Sequence, residues 1–126
     1  MRKAFIVEAD PTLRMLLADI LVHENVEPID LTLYKEPFEM GGDEEGIWIV
    51  DLRRFGIDAY ELLAVARRAE IDPSRMILLY SPAEISAVAA AKVWGVRHAV
   101  RKPFHIWVFE EAIRGLAAEL SRPRFS

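Results

Sequence analysis

No cysteine occurs in the 126 residues, which removes disulfides, thiolate metal sites and thiol nucleophiles together. Histidine is almost as scarce. His23, His98 and His105 are scattered, so no pair stands at metal-ligand spacing. The few glycines build no phosphate cradle: Gly41-Gly42 and Gly56 match neither a Walker loop nor a dinucleotide fingerprint. There is no G-x-S-x-G, so a Ser-His-Asp hydrolase would lack its nucleophile elbow. No apolar run approaches the ~20 residues that a membrane-spanning helix needs. The apolar stretch near Met1 is far too short for a signal peptide, and Glu8 interrupts it. The formal charge of −4 argues against a general nucleic-acid binder. Together these absences point to a soluble, cytoplasmic protein with no direct nucleic-acid or membrane partner.

What is present is an ordinary globular balance, 52% apolar and 29% charged, enough for one domain with one core. The chain is organised around Ile47-Trp48-Ile49-Val50-Asp51, four apolar residues running into a carboxylate and then into Leu52-Arg53-Arg54-Phe55-Gly56. A short continuous apolar run of this kind fits a strand buried on both faces, as in a parallel sheet. The crevices of open α/β sheets lie beyond the carboxyl ends of their strands, so Asp51 stands where chemistry is expected.

In chain order, Ala4 to Val7 reads as a first strand. Asp10-Pro11 then caps a helix that presents Leu13, Leu16, Leu17, Ile20 and Leu21 on one face and ends near Glu24-Asn25. Glu27 to Leu31 is a weaker second strand. Pro37, Gly41-Gly42 and Asp43-Glu44-Glu45 leave room only for a short helix and a loop before Ile47. Asp58 to Glu61 has capping-box spacing and opens a helix through Ala69, with Tyr60, Leu63 and Ala66 inward and Leu62 at the edge. Met76 to Tyr80 is the fourth strand. Ser81-Pro82-Ala83-Glu84 is a second capping box, and the alanine-rich helix after it carries Ile85, Val88, Ala89 and Val93 to a stop at Gly95. A fifth strand near Ala99 to Arg101 leads through Lys102-Pro103-Phe104 to a last helix from about Ile106 to Leu120, burying Phe109, Ile113, Leu116 and Leu120. This is strand and helix five times over, which implies right-handed crossovers and a parallel sheet covered on both faces. Residues 1–120 make the domain, and residues 121–126 a tail or the start of a linker.

The strand ends bring together Glu8 and Asp10, Asp51, Ser81 and Lys102: carboxylates, a hydroxyl and an ammonium. Such a set suits a divalent cation on oxygens and the neutralisation of an added phosphoryl group.

These motifs, in this order, resemble the receiver domains of bacterial two-component response regulators over nearly the whole chain. Val7-Glu8-Ala9-Asp10-Pro11-Thr12-Leu13-Arg14 is similar to the family's acidic turn after its first strand. Asp51 matches the phosphoacceptor, and Gly56 to Leu63 resembles the entry to the family's third helix. Ser81 falls at the Thr or Ser position, and Lys102-Pro103-Phe104 reproduces the lysine-proline signature. The resemblance implies an α/β, flavodoxin-like, doubly wound five-stranded parallel sheet in the order 2-1-3-4-5. It implies a phosphorelay signalling module, not an enzyme, although small phosphodonors could label it. Its partners would be a sensor histidine kinase or phosphotransfer protein, and a downstream protein or a second copy bound through the last two helices and fifth strand.

The chain departs from the family at the metal. Receivers usually carry adjacent acidic residues at the positions of Glu8 and Ala9, and Ala9 offers no oxygen. Mg²⁺ is therefore expected to bind weakly or not at all, on Glu8, Asp51 and the Arg53 backbone carbonyl. Asp10 is better spent on its helix cap. The Arg53 guanidinium either folds over Asp51 or stays in solvent. Phe55 stands where the family usually has proline. Ala99 replaces the aromatic that rotates on phosphorylation. Trp94 and Trp107 suit edge packing or a partner surface, and His98 and His105 have no catalytic part. Two other outcomes compete with the phosphoacceptor: a pseudo-receiver that works by binding alone, and a metal-dependent hydrolase using Glu8, Asp10 and Asp51.

Overall fold

In the computed structural model the residues described are 1–41, 45–53 and 57–122. Gly42, Asp43, Glu44, Arg54, Phe55, Gly56 and residues 123–126, to which parts of the sequence reading refer, lie outside them.

Five strands form one parallel sheet: β1 (Arg2–Val7), β2 (Val26–Asp30), β3 (Ile47–Asp51), β4 (Met76–Tyr80) and β5 (His98–Arg101). Their spatial order is β2-β1-β3-β4-β5, as expected. The helices are α1 (Pro11–His23), α2 (Ala59–Arg68), α3 (Ile85–Trp94) and α4 (Ile106–Leu120). Among the described residues none is long and apolar enough to cross a membrane.

The fivefold alternation does not hold. Between β2 and β3 the described residues contain a single 3-10 turn, Pro37–Glu39, and no α-helix. Pro37 and the glycines interrupt the pattern that a helix would need. An aromatic group covers the sheet instead: Phe38 meets Trp48 at 5.2 Å between ring centroids, and Trp48 meets Phe5 at 4.9 Å. Gly41 lies so close under the Trp48 ring that a Cβ there would collide with it.

Period-two alternation along the strands sends side chains to two cores. Ala4, Ile6, Ile49, Ile77 and Leu79 pack on Leu17 and Leu21 of α1 and on Phe109, Ile113 and Leu116 of α4. Phe5, Val7, Trp48, Val50 and Leu78 pack on Phe38, α2 and α3. Central β3 is buried at every residue. Edge strand β2 is only half covered and contains Pro28, which an edge tolerates.

Helix faces differ from expectation in places: Leu16 of α1 is exposed and Leu120 of α4 only partly buried, and α2 and α3 differ more. In α2 the inward residues are Ala59, Leu62, Leu63 and Ala66, while Tyr60 is exposed. Its phenol donates to Ser86 Oγ at 2.7 Å, and the polar tip of a tyrosine favours such a rim position over the core. In α3 the inward residues are Ala87, Val88 and Ala91, while Ile85 is exposed and Val93 is 90% exposed. That helix is apolar nearly all round, so its sequence has no single apolar stripe to choose a face. The small alanines are what seat it on the sheet. The Ser81-Pro82 start also opens a 3-10 turn, Pro82–Glu84, before α3 itself begins.

Candidate functional site

The carboxyl ends of β1, β3 and β5 place Glu8, Asp51 and Lys102 side by side, and their charged groups meet. Lys102 Nζ donates to Glu8 Oε1 at 2.6 Å and lies 3.1 Å from Asp51 Oδ2. The remaining oxygens are also engaged. Glu8 Oε2 accepts from the Asp10 N–H at 3.0 Å, and Asp51 Oδ1 accepts from the Arg53 N–H at 3.0 Å.

The backbone around this group is tightly held. The Glu8 N–H donates to Thr32 Oγ1 at 3.0 Å, and the Thr32 hydroxyl donates to the Ile6 carbonyl at 3.3 Å. The Asp30 carboxylate accepts from the Thr32 N–H at 2.9 Å, fixing that loop in an Asx turn. On the other side the Lys102 N–H donates to the Tyr80 carbonyl at 2.7 Å, tying the lysine to the end of β4. The peptide bond from Lys102 to Pro103 is cis.

Burial separates the partners. Glu8 and Asp51 are 1% and 3% exposed, whereas the Lys102 side chain retains 21% of its surface. Burial pushes the Glu8 carboxyl above the usual carboxylate range and the Asp51 charge adds to that, while Lys102 and the Asp10 N–H pull the other way. For Lys102, burial favours loss of the proton, but the Glu8 and Asp51 carboxylates outweigh it and hold the ammonium above its ordinary value.

The other candidates stand around this centre. Asp10 is the N-cap of α1: its Oδ1 accepts from Thr12 N–H at 2.9 Å and from Leu13 N–H at 3.4 Å. Ser81 follows β4, and its N–H donates to the Glu84 carboxylate at 3.0 Å. Arg53 reaches Asp51 through its main-chain N–H, and the cation that pairs with Asp51 is Lys102. Trp94 packs at the edge of the α2 and α3 core, and Trp107 is exposed and stacked on His105. His98, at the opposite end of β5, is paired with Glu119 at 3.2 Å. A hollow of about 340 Å³ beside the centre is lined by Leu52, Arg53, Asp58, Tyr60, Glu84 and Ser86, and by none of the three charges that meet.

Thr32 is the residue that the sequence reading missed. Asp30-Leu31-Thr32 after a strand is a turn signal, but nothing in it names Glu8 as the partner.

Among the described residues no three His, Asp or Glu side chains are grouped so as to hold a metal ion. Among the described residues two carboxylates converge at the centre, and the Lys102 ammonium contacts both.

Sequence comparison finds no matching family model and no matching curated protein. Structure comparison does find relatives in shape. Full-length FixJ from B. japonicum matches with a TM-score of 0.79 at 17% identity, over 95% of this chain and 59% of its own. A response regulator receiver domain protein from Clostridium thermocellum matches at 0.77 and 16% identity, covering 94% of this chain and 96% of its own. The Francisella response regulator 1452 receiver domain matches at 0.76 and 15%, covering 94% and 98%. This chain therefore spans a little under two thirds of FixJ and nearly all of the two isolated receiver domains. The fold is that of response-regulator receiver domains.

Proposed function

We propose that the chain is a cytoplasmic receiver module in phosphorelay signal transduction, with Asp51 as its phosphoacceptor. The observation that carries this reading is the 3.1 Å approach of Lys102 Nζ to Asp51 Oδ2 at the carboxyl end of a central parallel strand. An Asp51 oxygen attacks the phosphorus of a phosphohistidine on a sensor kinase or phosphotransfer protein. The new O–P bond forms as the P–N bond breaks, and the imidazole keeps the electron pair. Lys102 neutralises charge on the phosphoryl oxygens, and in this reading the Ser81 hydroxyl donates a hydrogen bond to one of them. A small phosphodonor could stand in for the kinase.

Transfer is slow in this reading. Asp51 is almost fully buried, and both its oxygens hold donors that the incoming phosphorus must displace. The response is also muted, because Ala99 has no ring to turn. Output runs through the exposed apolar residues of α3 and α4, Ile85, Val93, Ile106 and Trp107, to a downstream protein or a second copy.

The same burial favours a second reading, a pseudo-receiver that binds partners with Asp51 permanently held by Lys102. The hydrolase reading has no such support, since the Asp10 carboxylate is spent on α1. Intact-protein mass spectrometry after incubation with a small phosphodonor and Mg²⁺ separates the first two. A phosphoryl mass increment that Asp51→Asn abolishes supports the phosphoacceptor. No increment, with partner binding unchanged in Asp51→Asn, supports the pseudo-receiver.

A further inference from the structure

Each oxygen of the buried acidic pair already has a donor, and the donor common to both residues is Lys102. Two carboxylates and one ammonium leave a net charge of −1. A divalent cation added to that set would reverse the sign to +1 around a Glu8 that water scarcely reaches. The cation would also sit within a few ångströms of the ammonium. The two like charges would repel, and the double charge of the ion doubles that repulsion relative to a monovalent cation. A third carboxylate at position 9 would bring the sum to zero, but Ala9 has none, and Asp10 is turned to the first turn of α1.

The length of Glu8 completes the arrangement. Its backbone N–H is held by Thr32 Oγ1, which fixes where the side chain starts. The additional C–C bond of Glu relative to Asp, ~1.5 Å, carries its carboxylate to Lys102. An aspartate at that position would be shorter by that length and would not reach Lys102 in the same way.

We infer that this centre carries its own cation: Lys102, shared by Glu8 and Asp51, takes the place of a divalent ion, and the cluster does not bind Mg²⁺. This rests on the identification of Asp51 and Lys102 as the functional pair. Glu8 is then a positioning residue that holds the ammonium on Asp51.

The test uses the full chain with Mn²⁺ as the probe, followed by the fall in its free electron paramagnetic resonance signal, with Mg²⁺ as competitor. The wild type is expected to show no saturable loss of signal. Ala9→Asp and Lys102→Met are each expected to gain saturable binding that Mg²⁺ competes away, the first by adding a carboxylate and the second by removing the ammonium. Circular dichroism verifies the fold, and Ala9→Asp alone decides the matter if Lys102→Met does not fold. Saturable binding by the wild type that Glu8→Gln abolishes would overturn the inference, as would a folded Ala9→Asp that binds no better.

Labelling with acetyl phosphate, run in EDTA and again in Mg²⁺, separates this inference from the reading beneath it. Equal labelling of Asp51 in both supports both ideas. Labelling only in Mg²⁺ overturns the self-supplied cation and leaves the phosphoacceptor standing. No labelling in either, with no Mn²⁺ bound, supports the self-neutralised centre and overturns the phosphoacceptor.

Discussion

Two largely buried cations stand at opposite ends of the sheet, and they are paired in opposite ways. At the entry end Arg75 is buried, and its guanidinium donates to the Glu45 carbonyl at 2.7 Å. It also pairs at 3.6 Å with Glu45 and with Asp72, whose side chains are 79% and 46% exposed. At the exit end the anions are the buried partners and Lys102 is the one in touch with water. Where the carboxylates keep their hydration, loss of the cation leaves them in solvent. Where they have lost it, the whole cluster depends on one ammonium. The first arrangement is a brace for a loop. The second is a site whose charge balance can be tipped by a single added group.

The largest expected effect tests that dependence. Lys102→Met leaves two buried carboxylates facing each other and should destabilise the fold by about 3–5 kcal/mol at neutral pH. The Glu8 carboxyl is already raised by burial, and losing the ammonium raises it further. Its contribution is therefore favourable below the unfolded-state value and is lost as pH rises through the folded one. Urea melts of Lys102→Met should accordingly recover toward the wild type on acidification. A deficit that stays the same in acid would break the contrast between the two ends. The intact protein has the complementary window: the Lys102 value is raised on folding, so its stabilisation is present below the ordinary lysine range and lost as pH climbs through the folded value.

Arg75→Met should cost less, about 0.5–1.5 kcal/mol, the net worth of its hydrogen bond to the Glu45 carbonyl, which still accepts from Arg2 at 3.2 Å. The same urea melts measure it, and a loss as large as that of Lys102→Met would make the two clusters equivalent. The smallest effect belongs to a surface pair whose cation is exposed. Arg114 on α4 donates to Glu24 at the end of α1 and holds that carboxyl below the usual range. Its stabilisation is present above the unfolded-state value and fades as pH falls through the folded one. Arg114→Ala should lower the melting temperature only slightly, and salt should erase the difference.

Much of the frame was legible because it depends on local chemistry. Asp10 before Pro11, Asp58 before its helix and Glu84 after Ser81 each announce a helix start through the backbone groups they satisfy. The apolar run before Asp51 announces a buried strand. What was not legible depends on direction. Ile85, Val88, Ala89 and Val93 are all apolar, so only packing decides that Val88 turns inward and Val93 outward. Glu8 and Lys102 were both picked out, yet their contact spans 94 positions and depends on one side chain reaching across a sheet end. The sequence names Glu8 as a candidate metal ligand but carries no sign of the Lys102 ammonium 2.6 Å from it. Arg75 carried no signal beyond being a charge in front of a strand.

Pro28 has a consequence for how copies of this chain meet. The Leu31 N–H donates to Ile6 across to β1, so the period of two puts the Pro28 nitrogen on the outer edge of β2. That edge therefore lacks a donor halfway along, and exposed Glu27 and Asp30 flank the gap. Two β2 edges brought together would set carboxylates against carboxylates around an interrupted ladder. Strand-to-strand polymerisation is thus discouraged at this open end of the sheet, where a continuous row of N–H groups would invite it.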